Sequence, residues 1–169
     1  MLHFCHSRDW LRGLGAHADA DEPNTRGDAL VRYKKIMVPV DLAHADKLAH
    51  ALEAAGSLAA FYDAPVTYVG VTASAPSSLA HNPQEYARKL EQFAADQAKA
   101  HNIVASAHAV ITHDPAVDLD PALEHAVQET GSDLVVMATH IPNAGDHFWP
   151  SHGGRVATHT NASVFLVRD

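Results

Sequence analysis

The sequence predicts an α/β domain, Rossmann-like, built on a five-stranded parallel sheet with helices on both faces. Three observations carry this. Short runs rich in β-branched residues recur five times, stretches of helical periodicity separate them, and asparagine, proline and glycine punctuate the junctions. Strands that alternate with helices join in parallel through right-handed crossovers, since that hand packs a helix back onto a twisted sheet.

Lys35–Val40 (KIMVPV), bounded by polar residues, reads as the buried first strand. Over residues 46–62, Leu48, Leu52, Ala55, Ala59 and Tyr62 recur at spacings of three and four and mark one helical face. Pro65 opens the second strand, Val66–Val71. For the second helix Asn82 supplies a cap, Pro83 suits the first position, and Glu85 stands three after the cap, as in a capping box. Tyr86, Leu90, Phe93 and Ala94 form its apolar stripe. Gln97 interrupts that stripe, so the helix is expected to end or turn polar there. Ile103–Ile111 is the third strand. Leu119, Ala122, Leu123, Ala126 and Val127 mark the third helix, with Gly131 placed as its left-handed stop. Leu134–Thr139 is the fourth strand, residues 152–160 a short helix behind Ser151, and Ser163–Val167 the fifth strand.

The chain has 169 residues, enough for one domain and an appendage, and its 47% hydrophobic content can furnish a core. Residues 1–32 are the appendage. The stretch 16–32 is polar, holds Pro23 and Gly27, and resembles a linker. This N-terminal extension is expected to be flexible or a start-site artefact, with the domain proper covering 33–169. Twenty acidic residues against 12 basic ones give a net charge of −8, which repels phosphate backbones and anionic lipid. No nucleic-acid partner is expected. No apolar run approaches the ~20 residues of a membrane span, so no membrane insertion is expected either. Cys5 is the single cysteine and cannot form an internal disulfide. The first residues also lack the apolar core of a secretion signal. The expected location is cytoplasmic.

In a doubly wound sheet, ligands bind beyond the carboxyl ends of the strands, where the strand order reverses. The first strand ends Pro39-Val40-Asp41 and the fourth ends Met137-Ala138-Thr139-His140. If these strands flank the switch, Asp41 faces Thr139 and His140 across one crevice, with loop 141–150 closing it. Pro150-Ser151-His152-Gly153-Gly154 opens the fourth helix, where unpaired N–H groups and a partial positive charge suit an anion such as phosphate. Ser151 could equally be only an N-cap, with the glycines easing packing.

These residues carry a family resemblance. The strand–Pro-x-Asp tip, the run ending Gly70-Val71, the strand D-L-V-V-M (133–137), and Ser151 ahead of S-V-F-L-V-R (163–168) together resemble the universal stress protein family over residues 33–169. The resemblance implies the sheet order 3-2-1-4-5 and a stress-response or regulatory role without catalysis. It further implies a homodimer formed through edge strand Ser163–Val167, and an adenine nucleotide, ATP or AMP with Mg, as ligand. It places Asp41 and Val71 at the adenosine part, Val71 through its backbone, and counts Pro39, Val40 and Met137 among the nucleotide-binding residues. Thr139, His140, Ser151, His152 and Gly153 would meet ribose and phosphates. The sequence departs from the nucleotide-binding pattern of the family. Ala138, Ile141 and Pro150 stand where three glycines are usual, and the proline removes an N–H donor.

Rival readings use the same residues. A ligand-free adaptor would present its surface to a transporter or a kinase. A slow phosphohydrolase would use Asp41 or His140 as base. A metal site among His140, His147, His152 and His159 is disfavoured, because His152 and His159 stand about 10 Å apart along their helix. Asp118, Asp120 and Glu124 read as a solvated face at the start of the third helix.

Overall fold

The computed structural model describes residues 31–139 and 152–168, of which Arg32 onward belongs to one compact unit. Its elements run β1 (Ile36–Pro39), a 3-10 segment (Leu42–Leu48), α1 (Ala49–Tyr62), β2 (Val66–Ala73), α2 (Pro83–His101), β3 (Ala105–Thr112), α3 (Pro115–Thr130), β4 (Leu134–Thr139), α4 (His152–His159) and β5 (Ser163–Arg168). The strands form one sheet in the order β3-β2-β1-β4-β5, and every pair is parallel. The strand order read from the sequence is the one observed.

Each face of the sheet carries its own core, as alternation along buried strands requires. Ile36, Val38, Val66, Tyr68 and Val136 meet Leu52, Ala55, Leu90 and Ala94 of α1 and α2. On the opposite face Met37, Val69, Val135 and Met137 meet Leu123, Ala126 and Val127 of α3 and Val156 of α4. Tyr68 is fully enclosed beneath α2, its ring edge-on to Phe93 with centroids 5.4 Å apart.

Short acidic or amide side chains start the helical segments. Asp41 Oδ1 accepts from Ala43 N–H at 3.0 Å, Asn82 Oδ1 from Glu85 N–H at 2.8 Å, and Asp114 Oδ1 from Ala116 N–H at 3.0 Å. These side chains satisfy amides that have no acceptor within the helix. Glu85 departs from a strict capping box. Its carboxylate accepts the N–H of His81, one residue before the cap, at 2.9 Å. Left-handed residues Asp63, Asn102 and Gly131 end α1, α2 and α3. Gln97 does not end α2, which continues to His101 because Asn102, and no earlier residue, takes the terminating conformation.

Only two positions of β1 pair with β4, Ile36 with Leu134 and Met37 with Val135. A side chain reinforces that short ladder. Lys34 N–H donates to both carboxylate oxygens of Asp133 at 3.0 and 2.9 Å, and Lys35 N–H donates to Oδ1 at 3.0 Å. In return the Lys35 carbonyl accepts from Asp133 N–H at 3.0 Å. Hydrogen bonds to a charged acceptor are the stronger kind.

Asp133→Ala is expected to cost about 2 kcal/mol in urea denaturation, the scale of losing charge-assisted bonds that are partly solvated. A second expectation concerns acid. The Glu85 carboxyl is lowered from its ordinary 4.5 to about 2, first by the His81 main-chain N–H, then by Lys89 and the His81 ring. A group depressed on folding stabilises the native state above its unfolded value and loses that contribution as pH falls through the folded one. Glu85→Gln should therefore be less stable than wild type at neutral pH, with the gap closing between pH 4.5 and about 2.

Candidate functional site

β1 ends before its neighbours do. Its last partner on β2 is Val69, opposite Pro39, while β2 runs on to Ala73. On the other side pairing with β4 stops at Met37 and Val135, while β4 continues to Thr139. From β1 the chain leaves through α1 toward β2, and from β4 it leaves through α4 toward β5. The two connections part on opposite sides, so the tips of β1 and β4 border a crevice that no crossover covers.

Its floor is closed. Pro39, Leu48, Met137 and Ala138 line a residual hollow of about 10 Å³, at most the room of a single water. Val40 and Met137 are buried, whereas Asp41 and Thr139 are partly exposed. Larger hollows of about 410 and 340 Å³ open at the other end of the sheet, against the C-terminal ends of α1 and α2 and of α3 and α4. Helix C-termini present carbonyl groups, so neither hollow suits an anion.

Asp41 is held firmly. Besides capping the 3-10 segment, it accepts at Oδ2 from Nδ1 of His44 at 2.8 Å. A carboxylate has about four acceptor positions, so capacity remains for a ligand donor. Val71 offers main chain. Val40 N–H donates to the Val69 carbonyl at 2.8 Å, and main-chain groups alternate sides along a strand. Two residues on, the N–H and C=O of Val71 point the same way, past the last paired residue of β1.

At the start of the fourth crossover, α4 places His152 and Gly153 at its first turn. The His152 ring bonds through Nδ1 to Asp120 Oδ1 of α3, and Arg155 Nε lies 3.1 Å from Asp120 Oδ2. His159 and Glu124 stand 3.8 Å apart one turn further. Asp120 and Glu124 are thus not a solvated face: they tie α3 to α4. Asp118 accepts the N–H of Asp114 at 3.2 Å and closes the first turn of α3. Gly153 serves packing, since a methyl there would strike Cδ2 of Leu166, whereas Gly154 faces open space. His140, Ser151 and loop 141–150 lie outside the described residues, as do residues 1–30. Among the described residues, no group of three or more His, Cys, Asp or Glu could hold a metal ion. No described helix is long and apolar enough to cross a membrane.

A family model described as the universal stress protein family matches residues 32–168. The chain belongs to that family. A search among curated proteins returns no match. Among solved structures, a universal stress protein family member from Burkholderia pseudomallei is 24% identical, with 80% of this chain and 96% of that one covered and a TM-score of 0.57. The universal stress protein from Archaeoglobus fulgidus in complex with dAMP is 18% identical, covering 79% and 97%, with a TM-score of 0.55. A universal stress protein family member from Arabidopsis thaliana with AMP bound is 15% identical, covering 80% and 90%, with a TM-score of 0.53. At these identities the likeness establishes the fold. In this family member the acid at the end of β1, the uncovered backbone of β2 and the start of α4 share one end of the sheet. No local signal in the sequence announced the Asp120 link, which joins residues 32 positions apart.

Proposed function

We propose that this universal stress protein binds an adenine nucleotide across the tips of β1 and β4 and acts through that binding as a non-catalytic regulator. The observation that carries the reading is the early end of β1, which leaves Asp41 and the Val71 main chain side by side and uncovered. Asp41 can only accept, so it suits a ribose hydroxyl or an exocyclic amine. The Val71 N–H and C=O suit a base edge. Thr139, His140, Ser151, His152 and Gly153 take ribose and phosphates in this reading, with the α4 amides facing the negative charge. Structures of the same fold with dAMP and with AMP support the choice of ligand class. The methyl of Ala138 on the crevice floor, with Pro150 in place of a donor, favours a short phosphate chain over a long one.

The second half of the proposal is a homodimer in the cytoplasm, formed through β5. That strand is a sheet edge whose Phe165 and Leu166 are 49% and 48% exposed. An apolar edge of this kind needs cover, and a copy of itself supplies it by two-fold symmetry.

Calorimetric titration of nucleotide-free protein with AMP and ATP, with and without Mg, tests the first half. Saturable binding is expected, with AMP at least as tight as ATP. Ser151→Ala should weaken it about fivefold, the effect of one hydrogen bond of about 1 kcal/mol. A flat titration favours the ligand-free adaptor, and phosphate release during it favours the hydrolase. For the second half, sedimentation should show a dimer in wild type and a monomer in Phe165→Glu. A monomeric wild type would dismiss the β5 interface.

A further inference from the structure

Tyr86 lies one turn inside α2, at a height set by Asn82 and Pro83 at the start of the helix. Its side chain crosses to β2 and settles on Gly70. A methyl group on that glycine would collide with the phenol oxygen and come within 2.9 Å of Cε1 and 3.0 Å of Cζ. The missing side chain of Gly70 is the seat of the ring. Register fixes what lies beside it. Pro39 is level with Val69, so β1 passes the level of Gly70 at Val40, with Asp41 next along the chain. Neighbouring strands run about 4.8 Å apart. The hydroxyl therefore lies under the uncovered tip shared by Asp41 and Val71.

That hydroxyl has no assigned task in the fold. Tyr86 is only 4% exposed, yet its oxygen makes no hydrogen bond among the described residues. Among the described residues the sealed hydroxyls without a partner are those of Tyr68 and Thr112; the Tyr86 oxygen is not one of them, so it stays within reach of a group resting on the strand tips. Burial first, and then the negative charge of Asp41, push the phenol above its ordinary value. It therefore remains protonated at neutral pH and can donate.

We infer that Tyr86 is a specificity-determining residue, whose hydroxyl donates to a ring nitrogen of the bound base while Asp41 accepts from the neighbouring amine. A donor beside an obligate acceptor matches the amine–imine edge of adenine. It opposes a 6-oxo purine, whose carbonyl would face the carboxylate. A site that pairs buried polar groups with a ligand discriminates well, because the wrong ligand leaves them unpaired. This inference rests on the nucleotide reading above.

The test compares wild type with Tyr86→Phe, which keeps the ring on Gly70 and deletes only the oxygen. AMP, adenosine, IMP, 1-deaza-AMP and 7-deaza-AMP are titrated against both. Wild type should prefer AMP to IMP, and Tyr86→Phe should bind AMP and adenosine about five- to tenfold more weakly. One of the two deaza analogues should bind wild type as weakly as AMP binds the variant, and lose nothing further in the variant. Without ligand, the variant should melt no lower than wild type, since a hydroxyl without a partner contributes nothing to the fold. A lower melting point would give the hydroxyl an internal role and overturn the inference. So would equal adenosine affinity in the two proteins, or two deaza analogues that both bind wild type as AMP does. If wild type binds no adenine nucleotide, the nucleotide reading fails and takes this inference with it. If wild type binds and Tyr86→Phe binds equally, the inference alone fails.

Discussion

The carboxylate of Asp133 is the point from which the site is measured. β1 and β4 share two paired positions, too few to hold two strand ends at a fixed relative height. Asp133 takes the amides of Lys34 and Lys35, while its own carbonyl accepts the N–H of Ser163 at 3.0 Å. One residue thereby aligns β1, β4 and β5 at their starts. Strands aligned at one end have defined heights at the other, and only there do Asp41, Thr139 and the beginning of α4 matter.

The same economy explains α4. At eight residues it is too short to persist by its own hydrogen bonds. Val156 buries it against the sheet, and Asp120 and Glu124 of α3 hold its polar side through His152, Arg155 and His159. The histidines that crowd the sequence are therefore not all decoration. Those of α4 face carboxylates on the neighbouring helix, and His108 of β3 likewise meets Glu129 of α3 at 3.1 Å.

Local chemistry made most of the fold legible. The β-branched runs gave the strands, Asn82-Pro83 gave the start of α2, and Gly131 gave the end of α3, because caps and alternation are written within a few residues of where they act. What escaped depends on distance along the chain. The Asp133 contacts span 98 and 99 residues, and the Asp120–His152 bond crosses between two helices. Asp41 was legible as a site candidate from its place after a short strand. The seat of Tyr86 on Gly70 was not, since a stripe residue and a strand glycine carry no mark of meeting. Of the two outcomes that Gln97 allows, α2 takes the polar one: it buries no residue beyond Ala94 and runs on to His101, because a polar residue in the stripe weakens burial without breaking the helix, whereas Asn102 does end it.

Leu166 of β5 occupies the volume that a side chain on Gly153 would need. Positions 153 and 166 therefore share one space: a larger residue at the first is met by a turn of the half-exposed Leu166 side chain or by a smaller residue at the second. Change at the outermost strand thus reaches the first turn of α4 by steric exclusion, with no hydrogen bond between them. Among relatives of this chain, residue sizes at the two positions should be correlated, tying the first turn of α4 to the sheet border.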